Sequence, residues 1–360
     1  MIYILAFASL IVLVVLHELG HFFAAKHYGV KVEEFGIGLP PRIIGKQFGE
    51  TLYSLNLLPL GAFVRLQGEE QDDKSPRSFR SKSVFQRAVI IGAGVVTFWI
   101  VSVVMLTVLG ATSGIPTGIS DDASGITNPQ VQITDVTKNS PAKAAGLELG
   151  DIIVSMQSGT TAGAEIMQVK QVQDFTAIYQ GQEITMEIRR DGETLFIGLI
   201  PRENPPANEG AIGIALMRTG LLHYSWYEAP LRGIELTFSI TGQILNSFWD
   251  LFAGLIQGQG APPGVQVTGP IGIFQLLNNA FLLGIPNFVF FLSVISLYLA
   301  IFNALPIPAV DGGRLLFLAI EVFRRKPIPE KLEQRVNAVF FFALIILMIW
   351  VSIQDITRLF

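Results

Sequence analysis

The chain has 360 residues and a formal net charge of −4; half of it is hydrophobic, 15% is charged, and the mean hydropathy is +0.50. So few charges, against ~25% in an ordinary soluble domain, exclude a disordered chain and a basic-patch nucleic-acid binder and argue against a wholly soluble enzyme. With no Cys there is no disulfide framework, thiolate metal site or cysteine nucleophile, and a metal site must be built from carboxylates and four His.

The first predicted element is a membrane span. Ile2–Leu16 is uncharged, and Phe22–Ala25 carries the apolar run past the polar break His17-Glu18-Leu19-Gly20-His21. A signal peptide would show a basic residue ahead of the run and a small-residue cleavage site, and neither is present. The break fits H-E-x-x-H. On a helix the two imidazoles share one face, so both can address one ion, and Glu18 is placed to take a proton from water there. The alternative is a polar patch at a span end, but His, Glu and His at lipid depth are costly unless they pair or bind something.

A catalytic metal needs a third protein ligand. His27 has the spacing of the longer motif H-E-x-x-H-x-x-G-x-x-H, yet that motif needs Gly where Ala24 stands. On a continuing helix His27 lies about 240° round from His21, so it is expected to be a boundary residue.

Basic residues follow, from Lys26 through Lys74 to Arg87. Within that loop Thr51–Leu58 and Gly61–Leu66 are strand-like runs broken at Pro59, either an ordinary hairpin or an edge that pairs with an unwound substrate. A second span is predicted at Ala88–Leu109. Gln130–Arg202 then reads as soluble α/β: Val131, Ile133 and Val136 alternate, Ile152–Met156 is a short apolar strand, and Glu183–Arg189 and Thr194–Leu199 flank the turn Asp191-Gly192.

Gly233–Gly258 is apolar, but Glu235 and Asp250 leave only Leu236–Trp249 uncharged, too short to cross. With Tyr224, Trp226 and Tyr227 before it, this stretch reads as an interfacial amphipathic helix. A third span at Asn287–Leu305 leads into Asn303-Ala304-Leu305-Pro306-Ile307-Pro308-Ala309-Val310-Asp311-Gly312-Gly313, and a fourth covers Ala338–Ile353. Two prolines break the helix and two glycines permit a tight approach, so Asp311 is either a helix-ending cap or a carboxylate delivered to a metal. Charge breaks the tie. The first and last loops are rich in Lys and Arg, whereas the middle region carries Asp121, Asp122, Asp135, Glu148 and Asp151. The middle region, His223 included, and both termini are then outside, and His17 and Asp311 share the cytoplasmic ends of spans one and three.

His-Glu-Leu-Gly-His in a first span together with Asn303–Gly313 resembles the site-2 protease family of intramembrane metalloproteases, and within it the bacterial regulator-of-sigma-E type. The likeness extends over nearly the whole chain, through Phe35-Gly36-Ile37-Gly38, Leu58-Pro59-Leu60-Gly61-Ala62-Phe63-Val64-Arg65 and Thr268-Gly269-Pro270-Ile271-Gly272. It implies His17, His21 and Asp311 as zinc ligands, Glu18 as catalytic base and Asn303 as a polar group steadying substrate or transition state. In the second span Val95 and Thr97 stand where the family shows Pro and Asn, and Arg314 follows the two glycines where His is common. Asn139–Asp151, with its S-P-A…A-G-L-x-x-G-D run, resembles the signature of bacterial PDZ domains, whose groove takes an extended peptide as an added strand.

The expectation is a polytopic α-helical membrane protein of about four transmembrane helices, with an inserted α/β PDZ domain and a cytoplasmic hairpin-like loop. Residues 1–128 and 286–360 form the membrane core, 129–205 the PDZ domain and 206–285 an interfacial region. Its expected place is the inner (cell) membrane with the PDZ domain extracytoplasmic. Its expected partners are transmembrane substrates, the bilayer and a PDZ peptide ligand, with no nucleic acid. A non-catalytic scaffold and a metal transporter or sensor are the rival classes.

Overall fold

The computed structural model describes residues 2–359 except 70–72, 74, 119, 122–128, 160–162, 191, 207–208, 259–267 and 327, so Lys74, Asp122 and Asp191 lie outside the described residues. Contact clustering divides the chain into two units. The first comprises residues 1–106, 233–277 and 292–360, and the second comprises residues 107–232 and 278–291.

The first unit begins with α1 (Ile2–His27), about 39 Å long at 1.5 Å per residue. It ends where Gly29, at φ +68°, lets the Val30 and Gly29 amides turn back onto the Ala25 and Lys26 carbonyls. Next come β1 (Val32–Phe48), β2 (Thr51–Leu66), a 3-10 turn at Phe79–Ser81 and α2 (Val84–Ala111). Later in the chain are α5 (Ala229–Ile256), α6 (Pro270–Leu282), α7 (Ile285–Ala304), α8 (Asp311–Arg324) and α9 (Glu330–Leu359). Four helices are long and apolar enough to cross a membrane: Ile4–His27, Val84–Ala111, Ile285–Ala304 and Lys331–Thr357. These are the four expected spans, with longer bounds.

The loop after α1 is more ordered than two runs. β1 and β2 each bend, so residues 51–56 pair with 42–48 on one side and 34–37 on the other, while 62–66 pair with the far side of 32–37. Leu55 is therefore flanked by Ile37 and Ile44, and 62–66 is an edge. Buried Glu34 ties the layer together: its carboxylate accepts from Ser54 Oγ (2.7 Å), Arg65 Nη1 (2.9 Å) and Arg42 Nη2 (3.1 Å). A buried charge persists only with such partners. Phe22, Ala25, Phe35, Leu66, Ile90 and Leu318 belong to one apolar cluster, which sets this layer against α1, α2 and α8.

The helix expected at Gly233–Gly258 is present as α5, one helix of 28 residues. Trp99 Nε1 of α2 donates to Thr241 Oγ1 (3.3 Å), and Ile244 packs on Leu297 and Ile301 of α7. The Thr268–Gly272 motif finds a physical role. Asp355 of α9, buried, accepts the Gly272 and Gly269 amides (2.9 and 3.2 Å) at the start of α6; a Cβ on Gly269 would strike its carboxylate and one on Gly272 the Thr268 methyl. Asp355→Ala strands those amides and is expected to cost about 1–3 kcal/mol, read as a lower unfolding midpoint in detergent.

The second unit is an antiparallel sheet, order β3-β9-β4-β5-β7-β8 with β6 on β5. Its elements are β3 (Ile115–Gly118), β4 (Gln130–Val136), α3 (Pro141–Ala144), β5 (Ile152–Gln157), β6 (Ala164–Glu165), α4 (Val169–Ile178), β7 (Ile184–Arg190), β8 (Glu193–Leu199) and β9 (Ile214–Leu222). The sheet thus takes in strands on both sides of 129–205. Val131, Ile133, Leu147, Ile153, Met186 and Ile188 are among its core residues. The Asn139–Asp151 run is a folded motif: Ser140 caps α3 through the Lys143 amide, Pro141 opens the helix, and Gly146 and Gly150 hold φ of +83° and +99°. Buried Asp151 binds the Arg190 guanidinium at 2.6 and 2.7 Å.

Candidate metal centre

His17 and His21 face the same way on α1, their Nε2 atoms 3.2 Å apart. Asp311 opens α8, and its Oδ2 lies 3.2 Å from His17 Nε2 and 3.3 Å from His21 Nε2. Among the described residues these three are the group whose ligand atoms converge. His27 ends α1, exposed, with its ring on Tyr28, and His223 follows β9 in the other unit; neither joins the group.

The sequence around Asp311 explains its delivery. α7 stops before Pro306, Ala309 sits at φ +78°, and the Ala309 amide is held by Asn337 Oδ1 (3.1 Å). A Cβ on Gly312 would meet the Leu305 and Ala304 carbonyls, and one on Gly313 the Ile307 carbonyl. The two glycines thus let α8 start against the broken end of α7. Burial pushes the Asp311 carboxyl up, but the facing imidazoles outweigh it and hold the group well below the ordinary carboxylate range.

The donor set fits a tetrahedral zinc. Bonds of about 2.0–2.1 Å place neighbouring ligand atoms about 3.3–3.4 Å apart, close to the observed triangle. Asp311 Oδ2 is buried without a hydrogen-bond partner, an unsatisfied anionic acceptor aimed at two imidazoles. His21 Nδ1 faces the Ile90 carbonyl (2.9 Å), which accepts its proton and leaves Nε2 free to ligate. The His17 ring stacks on Phe98, centroids 4.5 Å apart.

α2 contributes more than the sequence suggested. Gly94 lies against both imidazoles, and a Cβ there would strike His21 Nε2 and His17 Cε1. Thr97 Oγ1 donates to the Ala93 carbonyl (2.8 Å) and packs on Gly20, so it serves the α1–α2 crossing. Gly94→Ala is expected to leave the fold intact and to lower zinc affinity at least about tenfold, in the range of changes beside a ligand shell, measured by competition with a chelating dye.

A cavity of about 690 Å³ opens on the group, lined by His17, Glu18, Phe63, Asn303, Asp311 and Phe341 among others. Asn303, on α7, donates from Nδ2 to the Leu299 carbonyl (2.9 Å) and lies outside the ligand triangle. On another side a small pocket of about 60 Å³ joins Glu18 and Asp311 to Glu69 and Arg314, whose ion pair measures 2.6 Å. The same pair borders a charged cavity of about 820 Å³ with Arg80, Arg87, Glu321 and Glu333.

Comparison with known proteins gives the family of the chain. The sequence profile of Peptidase family M50 matches residues 5–347. The chain belongs to that family, the site-2 proteases. It is 32% identical over 355 residues to a Clostridium perfringens protein named a "putative zinc metalloprotease", covering 98% of this chain and 97% of the relative. It is 27% identical to zinc metalloprotease RasP of Oceanobacillus iheyensis, over 97% of each chain. It is 28% identical to the regulator of sigma-W protease RasP of Bacillus subtilis, over 97% of this chain and 96% of that one.

Proposed function

We propose that the chain is an intramembrane zinc endopeptidase that hydrolyses a peptide bond within a transmembrane segment of a membrane protein. The observation that carries this is the His17, His21 and Asp311 triangle, with Glu18 beside it, at the wall of a cavity among apolar helices. Bound zinc would polarise the scissile carbonyl and acidify water. Glu18 accepts the proton of the attacking water and returns it to the leaving amine. Asn303 steadies the carbonyl or the developing charge from the far wall. The Glu69–Arg314 pocket and the charged cavity beyond it supply water from the cytoplasmic side.

A helical substrate hides its carbonyls, so it must be unwound and paired before attack. The 62–66 edge, whose Phe63 and Val64 line the cavity, is suited to that pairing. Of the two strand-like runs, residues 51–56 are paired on both sides, so a proline at Leu55 would test folding, and among the described residues 62–66 offers the free edge. A substrate N-methylated at alternate residues through its cleaved segment is expected to be cut at least tenfold more slowly in one register than in the other; equal rates would remove the strand-pairing step.

The sheet and the Asn139–Asp151 motif support reading a PDZ domain at 129–205. The charge distribution of the sequence favours its lying on the extracytoplasmic side of the inner membrane, with membrane-core segments 1–128 and 286–360, the 206–285 region, and a peptide ligand as the remaining parts of the proposal. A relative named as a regulator of sigma-W protease favours anti-sigma factors as substrates, with leftover signal peptides as the second class. Purified parent protein in nanodiscs should cut a helical test substrate, and a chelator should stop it. Metal flux without cleavage would favour a transporter.

A further inference from the structure

One edge of β9 in the second unit is partly occupied by a segment of its own chain. β9 pairs with β4 along one edge over Ile214–Thr219 and with β3 along the other over Thr219–Leu222. The second edge of residues 214–218 has no strand partner among the described residues, and α4 packs beside it. β3 runs antiparallel to β9, from Ile115 opposite Leu222 to Gly118 opposite Thr219.

Two residues further on, Ser120 and Asp121 lie beside Arg218, one step past the end of that ladder. Arg218, mostly buried, donates from Nη1 to the Ser120 and Asp121 carbonyls (2.8 and 3.1 Å) and from Nε to the Met167 carbonyl (2.8 Å). The Asp121 carboxylate accepts the Val169 and Lys170 amides at the start of α4 (3.0 and 2.9 Å), and Gln168 Nε2 donates to the Asp121 carbonyl (3.0 Å). Strand addition to a sheet edge, capture of backbone carbonyls and a carboxylate at a helix N-terminus are the contacts by which a sheet takes an extended peptide. Pro116–Gly118, Ser120 and Asp121 lie outside the main apolar cluster of the sheet, and Ile115, itself buried, lies outside it too, so departure of the segment uncovers Ile115 but leaves that cluster closed.

We propose that the 214–218 edge of β9 with α4 beside it is a groove for an extended, carboxylate-bearing peptide supplied in trans, and that Ser120 and Asp121, held at its end by Arg218 and the α4 amides and continued by Ile115–Gly118 along the same edge of β9, act as an internal ligand which that peptide must displace. The proposal rests on the PDZ reading of this unit. A tethered segment acts at an effective concentration of the order of millimolar, so a segment of about 1–10 micromolar intrinsic affinity weakens any competing peptide by about 10²–10³-fold. Peptide capture by the domain is thereby coupled to release of the stretch that follows α2.

The test uses the full chain in detergent and, as probe, a fluorescent peptide with the sequence of residues 113–121, Ser-Gly-Ile-Pro-Thr-Gly-Ile-Ser-Asp, read by anisotropy. Asp121→Ala is expected to bind it at least tenfold more tightly than the parent. The chain has no Cys, so Thr117→Cys with Gly220→Cys, opposed in the β3–β9 ladder, gives a clean disulfide lock. The oxidised lock is expected to bind no probe, and reduction should restore binding to the parental level. Equal binding by parent and Asp121→Ala, or undiminished binding by the oxidised lock, overturns the internal ligand and leaves the groove standing. Absence of binding in every form, Asp121→Ala included, overturns the groove and the PDZ reading together.

Discussion

Glu18→Gln is expected to lower peptide-bond cleavage by about 10²–10⁴-fold, the usual worth of a general base, while zinc content stays at the parental level. Glu18 borders both the cavity and the Glu69–Arg314 pocket, yet it lies outside the ligand triangle. Glutamine keeps its shape and cannot take a proton, so turnover falls and the ion remains. Fragment release in nanodiscs and elemental analysis of the same preparation give both readings. Cleavage at the parental rate would remove Glu18 from the mechanism, and absence of cleavage by parent and variant alike would favour the scaffold or transporter class.

Asp311→Ala is expected to abolish both zinc binding and cleavage. The two histidines would keep their positions on α1, but two imidazoles alone do not make a catalytic zinc site, which takes three protein ligands. The loss should be of the order of 10³-fold or more in affinity, beyond the 10–100-fold that accompanies changes behind the ligands. Arg87 ties α2 to Glu321 of α8 through two hydrogen bonds of 2.7 and 3.1 Å, so α8 is held independently of Asp311. The variant should therefore unfold near the midpoint of the zinc-free parent, since bound zinc stabilises only the folded parent. A lowered midpoint with zinc retained would contradict the assignment.

Much of this centre was legible because its chemistry is local. An i, i+4 pair of histidines on an apolar helix has few other uses, and the prolines and glycines around Asp311 announce a broken helix that delivers one side chain. The four spans follow from length and charge. What was not legible is what depends on packing between distant segments. Gly94 reads as one glycine in an apolar run until two imidazoles are set against it. The Thr268–Gly272 motif has no partner in its own neighbourhood, because that partner, Asp355, lies 83 residues beyond Gly272. β1 was missed because Pro40-Pro41 and scattered glycines mask its alternation, and tertiary pairing overrides weak strand propensity. The helix of α5 was legible from its apolar run, but its contacts to α2 and α7 through Thr241 and Ile244, absent from any periodicity rule, were not.

X-ray absorption at the zinc edge of the purified protein tests the central claim most directly. The account predicts a four-coordinate ion with two imidazole nitrogens and a carboxylate oxygen at about 2.0–2.1 Å, and loss of that ligand shell in both His21→Ala and Asp311→Ala. A shell with one imidazole or none, or a spectrum that Asp311→Ala leaves unchanged, would contradict it.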